Sequence, residues 1–206
     1  MVDPRLHDDD DGLTGAAERE PRVFYERGGR HYLVDLPTRL LAERIVWLGE
    51  EINNRSANRC VRQLQYLALT DPQAPITLYI NSPGGSIVDG MAIYDTIQRS
   101  PAPVHALVVG MAASMGAVIL SGCARGHRRI LRHGEVLLHQ PLGGARGQVT
   151  DVEISAKRIL KIKERLLRIL AENCRQPYEK LVEDCDRDYW LDADEALAYG
   201  IVDQVL

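Results

Sequence analysis

From Val23 onward, short apolar runs alternate with stretches in which apolar residues recur every three or four positions. Ile45–Gly49 (IVWLG), Ile76–Ile80 (ITLYI), Val104–Val109, Glu135–Leu138 and Val202–Val205 are compact and mostly apolar, which predicts buried strands. Helical spacing appears between them. Residues near Asn53 to Leu69 place Val61, Leu64, Leu67 and Ala68 on one face. Ser86 opens a second helix, with Asp89 at its third position and Ile87, Met91, Ile93, Tyr94 and Ile97 as its apolar surface. Ser114–Ser121 predicts a short helix of small residues, and Asp192-Ala-Asp-Glu195 starts another that stops at Gly200. Thr150-Asp151-Val152-Glu153 has the form of a capping box opening a long helix to about Asn173. No internal repeat is visible. Strand and helix alternate throughout, which predicts an α/β fold with a parallel sheet covered by helices.

The long helix carries a broad stripe: Val152, Ala156, Ile159, Ile162, Leu166, Ile169 and Leu170. At roughly 24 residues it would extend about 36 Å. The stripe therefore has two readings, ordinary core or a projecting segment that packs on a partner subunit.

Of the 206 residues 45% are hydrophobic and 26% charged, enough for a core without disulfide or metal staples. Seven of the 29 acids and three of the 25 bases lie in residues 1–22, which leaves 22 of each in the body. Residues 1–22, with Asp8 to Asp11 in a row, are expected to be a disordered acidic tail or a propeptide, and residues 23–206 a single domain. A neutral body argues against nucleic acid as a partner. Cys60, Cys123, Cys174 and Cys185 are too widely spaced for a zinc site or a CxxC redox motif. The longest uncharged run, Ala106 to Ala124, is punctuated by Gly110, Gly116 and Gly122, so it predicts a strand, a turn and a buried helix rather than a membrane span. With no export signal at the start, a cytoplasmic setting is expected.

Position singles out a few of the seven serines and six histidines. Ser114 lies in Gly110-Met-Ala-Ala-Ser114-Met-Gly116, between an apolar strand and a helix, where unpaired helical N–H groups can face a developing oxyanion. It could equally be a plain helix cap. His139 stands at a strand end before Gln140-Pro141-Leu142-Gly143-Gly144, placed for a cleft or for a structural role. Asp188 belongs to an acidic stretch, Asp184-Cys-Asp-Arg-Asp188, from which charge alone selects no single residue. In Ser82-Pro83-Gly84-Gly85 paired glycines after a strand can turn backbone N–H groups into one concavity, or simply form a tight turn.

INSPGG (Ile80–Gly85), GMAASMGA (Gly110–Ala117), HQPLGG (His139–Gly144) and DRDYWLDADEALAYGIVD (Asp186–Asp203) together resemble the Clp protease proteolytic subunit family in order and spacing. The resemblance covers roughly residues 35–206. It implies a Clp-protease/crotonase-like spiral of βαβ units with a projecting handle helix, about residues 150–173. It implies a serine endopeptidase with Ser114 as nucleophile, His139 as general base and Asp188 orienting the base. Gly85 and Met115 match the positions whose N–H groups form the oxyanion hole. Asp186, Arg187, Gln148 and Asp151 match positions coupling assembly to activity. The family works as two stacked heptameric rings enclosing a chamber, fed with unfolded protein by a hexameric AAA+ Clp ATPase. No cofactor is implied in this subunit, since the partner uses the ATP.

The chain departs from the family pattern at its implied docking surface. Thr77 stands where an aromatic is usual, Tyr79 is retained, and Arg99 replaces an apolar residue. The tail and Val23–Gly29 also differ from the usual gate sequence. These differences suggest a paralogue with altered partner choice. The alternative to an active peptidase is a scaffold subunit acting in a mixed ring with another Clp peptidase subunit. A crotonase-type CoA-ester lyase shares the fold, but would leave the serine and histidine without a role.

Overall fold

The computed structural model describes residues 20–141 and 147–206. The chain forms two compact units, one ending at Arg39 and one running from Leu40 to Leu206. Most of the expected acidic tail, residues 1–19, lies outside the described residues, and Arg22 already belongs to a strand.

In the first unit β1 (Arg22–Arg27) and β2 (Arg30–Asp35) form an antiparallel hairpin. Its two-residue loop is Gly28-Gly29, with φ of +59° and +73°, a backbone that suits the twist of the flanking strands. The Asp35 carboxylate accepts the Thr38 N–H at 2.7 Å, where α1 (Leu36–Ala42) begins.

The second unit contains β3 (Ile45–Leu48), α2 (Asn54–Thr70), β4 (Ile76–Ser82), α3 (Ile87–Arg99), β5 (Val104–Ala113) and α4 (Met115–Ser121). These are followed by β6 (Arg128–Ile130), β7 (Glu135–Leu138), α5 (Val149–Cys174), α6 (Tyr178–Asp184), β8 (Tyr189–Leu191), α7 (Ala193–Tyr199) and β9 (Gln204–Val205). The sheet runs β3-β4-β5-β6-β9 with every pair parallel, as the alternation of elements predicts. Ile76, Leu78 and Ile80 are fully buried while Thr77 and Tyr79 between them are half-exposed, so one sheet face lies on the core. Against it pack Cys60, Leu64 and Leu67 of α2, Ile93 and Ile97 of α3, and α4, every residue of which is buried.

Caps follow the sequence where polar side chains supply them. Asn53 and Ser56 form a reciprocal capping box at α2, as do Asp192 and Glu195 at α7, which ends in left-handed Gly200. The capping box expected at Thr150 is not formed. Helix α5 begins two residues earlier, with Gln148 as its cap and the Val152 N–H bonded to the Gln148 carbonyl. Thr150 is thereby drawn inside the first turn, where an extended cap conformation is impossible. Residues Ala106–Ala124 form part of β5, a turn and α4, and no helix among the described residues is long and apolar enough to cross a membrane.

Strand β5 positions the site because it is long enough to serve two neighbours. Its first half, Ala106–Val108, pairs with β6, and its last residues, Met111–Ala113, pair with β7. Strand β7 pairs in turn with β8, antiparallel. The C-terminal ends of β5 and β7 and the start of β8 therefore lie side by side.

Candidate active site

Register fixes which residues meet. Ala113 opposes Leu137, and the Ser114 N–H donates to the Leu137 carbonyl at 2.9 Å, so Ser114 leaves β5 beside the end of β7. Across the antiparallel pair Leu138 opposes Tyr189, and continuing the ladder by one step brings His139 to Asp188. Their side chains bear this out, with Nδ1 of His139 3.3 Å from Oδ1 of Asp188. The imidazole is only 14% exposed, whereas the carboxylate is 64% exposed. With Nδ1 turned to the carboxylate, Nε2 remains for a proton from elsewhere.

Ser114 adopts φ +54° and ψ −118°, a strained backbone for a residue with a side chain. It occupies the cap position of α4, yet its hydroxyl makes no capping bond. The helix-cap reading therefore does not account for it. The first turn of α4 is closed by the Ser114 carbonyl, which accepts the Ala117 and Val118 N–H groups.

Above Ser114 runs the Ser82–Gly85 turn. Gly84 has φ +93°, and a Cβ there would fall 2.6 Å from Cβ of Ser114 and 2.7 Å from the Ala113 carbonyl. Gly85 has φ +141°, and a Cβ there would meet the Ile52 carbonyl at 2.3 Å. Ile52 holds this turn through its N–H to the Gly84 carbonyl and its carbonyl to the Ser86 N–H, both at 2.7 Å. Among the described residues the Gly85 and Met115 N–H groups donate to nothing. Both residues line a cavity of about 220 Å³ that is also bordered by Ser114 and His139, with Ile87, Val118, Leu138, Leu166 and Leu170 making much of its wall apolar. Within that cavity Ser114 and His139 are not hydrogen-bonded to each other.

A relay that sequence reasoning missed ties the long helix to this site. Lys163 of α5 donates to the Gln140 side chain at 2.7 Å, and Gln140 Nε2 donates to the Asp186 carbonyl at 2.9 Å. The Gln140 N–H also reaches the Cys185 carbonyl at 2.7 Å. One side chain thus clamps the segment after His139 to the segment before Asp188. The only signal in the sequence is that Gln140 follows His139; nothing local pairs it with Lys163.

The other expected site residues are dispersed. Gln148 caps α5 and Asp151 lies in its first turn, favourably placed for the helix dipole. Asp186 and Arg187 are exposed, with 4.0 Å between Oδ2 and Nε, and among the described residues no hydrogen bond or ion pair joins either to Gln148 or Asp151. Thr77 and Tyr79 share one face of β4, where Tyr79 stacks on Trp47 with ring centroids 5.4 Å apart. Arg99 instead lines a groove between α2 and α3 with Leu64, Ala68 and Leu69. Much of HQPLGG, from Leu142, lies outside the described residues. All four cysteines are buried free thiols, and burial pushes each up to about 12.

A hydroxyl on a strained strand-to-helix turn, an imidazole backed by a carboxylate and two free amides round one cavity are the equipment of a serine-type hydrolase. The profile of the Clp protease family matches residues 27–206, and the chain belongs to that family. Two similar proteins come from Prochlorococcus marinus, each named ATP-dependent Clp protease proteolytic subunit 1. That of strain MIT 9312 is 48% identical over 186 residues, covering 90% of this chain and 95% of that protein. That of strain NATL2A is 49% identical over 185 residues, covering 90% and 94%. The chain is a protease of the serine type.

Proposed function

We propose that Ser114, His139 and Asp188 are the catalytic set with which this subunit cleaves unfolded polypeptides inside a ring-shaped chamber. Ser114 attacks the peptide carbonyl while Nε2 of His139 takes its proton. Asp188 holds the ring in the tautomer that leaves Nε2 free and stabilises the imidazolium. The N–H groups of Gly85 and Met115 receive the tetrahedral oxygen, each such donor being worth about 3–4 kcal/mol. His139 returns the proton to the departing amine, and water cleaves the acyl-enzyme. These steps draw only on this chain's own groups and water. The observation that carries the reading is the juxtaposition of three strand ends, which brings Ser114 and His139 to one cavity and Asp188 against the imidazole. The missing Ser114–His139 bond fits a site that tightens on substrate or assembly, since catalytic hydrogen bonds are often long in the empty state.

In this reading the subunit forms a double heptameric ring, alone or mixed with a second subunit type, and a hexameric Clp ATPase delivers substrate. Thr77, Tyr79 and Arg99 contribute to docking that ATPase, and Asp186, Arg187, Gln148 and Asp151 link ring contacts to the triad. Four inert buried thiols suit a cytoplasmic setting.

The test is labelling by a fluorophosphonate followed by peptide mapping. Ser114 is expected to carry the label, and Ser114→Ala to lose it along with about 10⁶-fold in turnover. Label on another residue, or an assembled particle that neither labels nor cleaves, would refute the assignment.

A further inference from the structure

The sheet face opposite the core presents Trp47 of β3, Thr77 and Tyr79 of β4, His105 of β5 and Arg129 of β6, all half-buried or exposed. His105 lies opposite Thr77 in register, and stacks on His127 with centroids 3.9 Å apart and planes within 8°. Arg129 follows His127 by two residues, so it points to the same side. It pairs in register with Leu107 of β5 and Gln204 of β9.

Among the described residues none of these three basic side chains has a hydrogen-bond or carboxylate partner, and Nε of Arg129 is buried without an acceptor. Buried donors left unpaired are rare in folded proteins. The adjacent Arg128, on the other side of the strand, shows the ordinary outcome. It binds both carboxylate oxygens of Asp203 and the Asn173 carbonyl. What the outer cluster lacks is an anion.

The charge of the cluster limits the choice. Burial, then the nearby His127 and Arg129, lower the pKa of His105, so Arg129 supplies the fixed positive charge near neutral pH. That suits a singly charged carboxylate better than a phosphate dianion. The Trp47–Tyr79 stack lies across the same face, and Trp47 is 47% exposed. A small free anion would leave this aromatic surface uncovered.

We propose that His105, His127 and Arg129 form an anion site for a carboxylate carried by a protein partner, whose neighbouring apolar side chain covers Trp47 and Tyr79. The proposal rests on the docking role given above to Thr77 and Tyr79 and supplies the chemistry of what docks there. A bound carboxylate favours the imidazolium forms, so binding takes up protons and strengthens as pH falls. The groups that face His105 are His127 and Arg129 from the β6 side and uncharged Thr77 from β4.

The test is fluorescence anisotropy with the full chain and two rhodamine-labelled capped tripeptides, Glu-Phe-Glu and Gln-Phe-Gln, their integrity checked by mass spectrometry. The acidic peptide is expected to bind at least about ten-fold more tightly, the scale of one charge-assisted contact. Arg129→Gln should erase that preference and Arg129→Lys restore part of it. The double variant His105→Gln, His127→Gln should retain the preference at pH 8 but lose its growth toward pH 6. Circular dichroism and native mass confirm folding, and the histidine double variant carries the test if Arg129→Gln does not fold. Equal binding of the two peptides, or an unchanged preference in Arg129→Gln, overturns the proposal. So does full displacement by equimolar inorganic phosphate, which would assign the cluster to small anions. A fall in native mass for folded Arg129→Gln also overturns it, because the missing anion would then belong to a second copy. Fluorophosphonate labelling of the same samples reports on the peptidase reading separately.

Discussion

At the residue scale the site depends on what is absent. The Ser82–Gly85 turn crosses so near Ser114 that the space a Cβ on Gly84 would need is taken by Cβ of Ser114 and the Ala113 carbonyl. The positive φ of Gly84 adds its own penalty for any side chain, commonly 1–2 kcal/mol, or about that for one residue forced into the left-handed region. Gly84→Ala should therefore lift the turn off Ser114 and move the Gly85 amide away from the cavity. Because the barrier depends on sub-ångström placement of such donors, kcat for a short fluorogenic peptide should fall at least about 10²-fold, with a smaller change in KM. Steady-state kinetics alongside a thermal melt separates this from unfolding. A folded Gly84→Ala with wild-type kcat would mean that the turn plays no part in the chemistry.

At the element scale, the same features that made some parts of the fold legible explain why others were not. Strands β3 and β7 stand out as short apolar runs, and helices α2, α3 and α7 because apolar periodicity and capping side chains coincide there. Strand β6 reads Arg-Arg-Ile, and its first arginine is buried only because Asp203, 75 residues later, folds back to pair with it. No local pattern announces that. Nor could it announce that β5 continues through Gly110–Ala113 to serve β7, the step that brings Ser114 to His139. The three catalytic candidates were visible through family motifs; their meeting point is set by long-range register.

The Arg128–Asp203 pair also yields a pH prediction. Burial works to raise the pKa of Asp203, but hydrogen bonds from the Arg128 side chain and N–H and from the Gly126 N–H prevail and hold the carboxyl below its ordinary value. Its contribution to stability is then complete above the unfolded value of about 3.9 and is lost as pH falls through the lower folded pKa. Arg128 is 4% exposed, and removing one partner of a buried pair commonly costs about 3–5 kcal/mol. Arg128→Met should lose about 3 kcal/mol in urea unfolding at pH 7, and the gap from wild type should narrow as pH falls below about 3.9 and close once pH is below the lowered folded pKa of Asp203. A gap that stayed constant across that range would show that Asp203 titrates normally and that packing alone is responsible.

At the scale of the whole molecule, α5 is the element that a single chain leaves unfinished. Its 26 residues span about 39 Å, and its first buried residue is Leu166. Before that point Val149, Ile154 and Leu160 are 77%, 61% and 65% exposed. Covering such a side chain contributes roughly 1.5–3 kcal/mol, and Ile154 lies about 120° round the helix from Val149 and Leu160, so subunits packing on more than one side of this segment would gain several such terms. The relay from Lys163 through Gln140 to Asp186 leads from this helix into the segments that carry His139 and Asp188. Association through α5 and alignment of His139 with Ser114 would then be linked, and one substitution should disturb both. Ile154→Glu changes an exposed residue far from the cavity, so the isolated fold should survive. Native mass spectrometry should show particles of half the wild-type mass, and fluorophosphonate labelling of Ser114 should slow at least about ten-fold, the factor that corresponds to 1.4 kcal/mol of lost alignment. An unchanged mass would show that α5 does not join the halves of the particle, while halved particles that label at the wild-type rate would show that the relay transmits nothing.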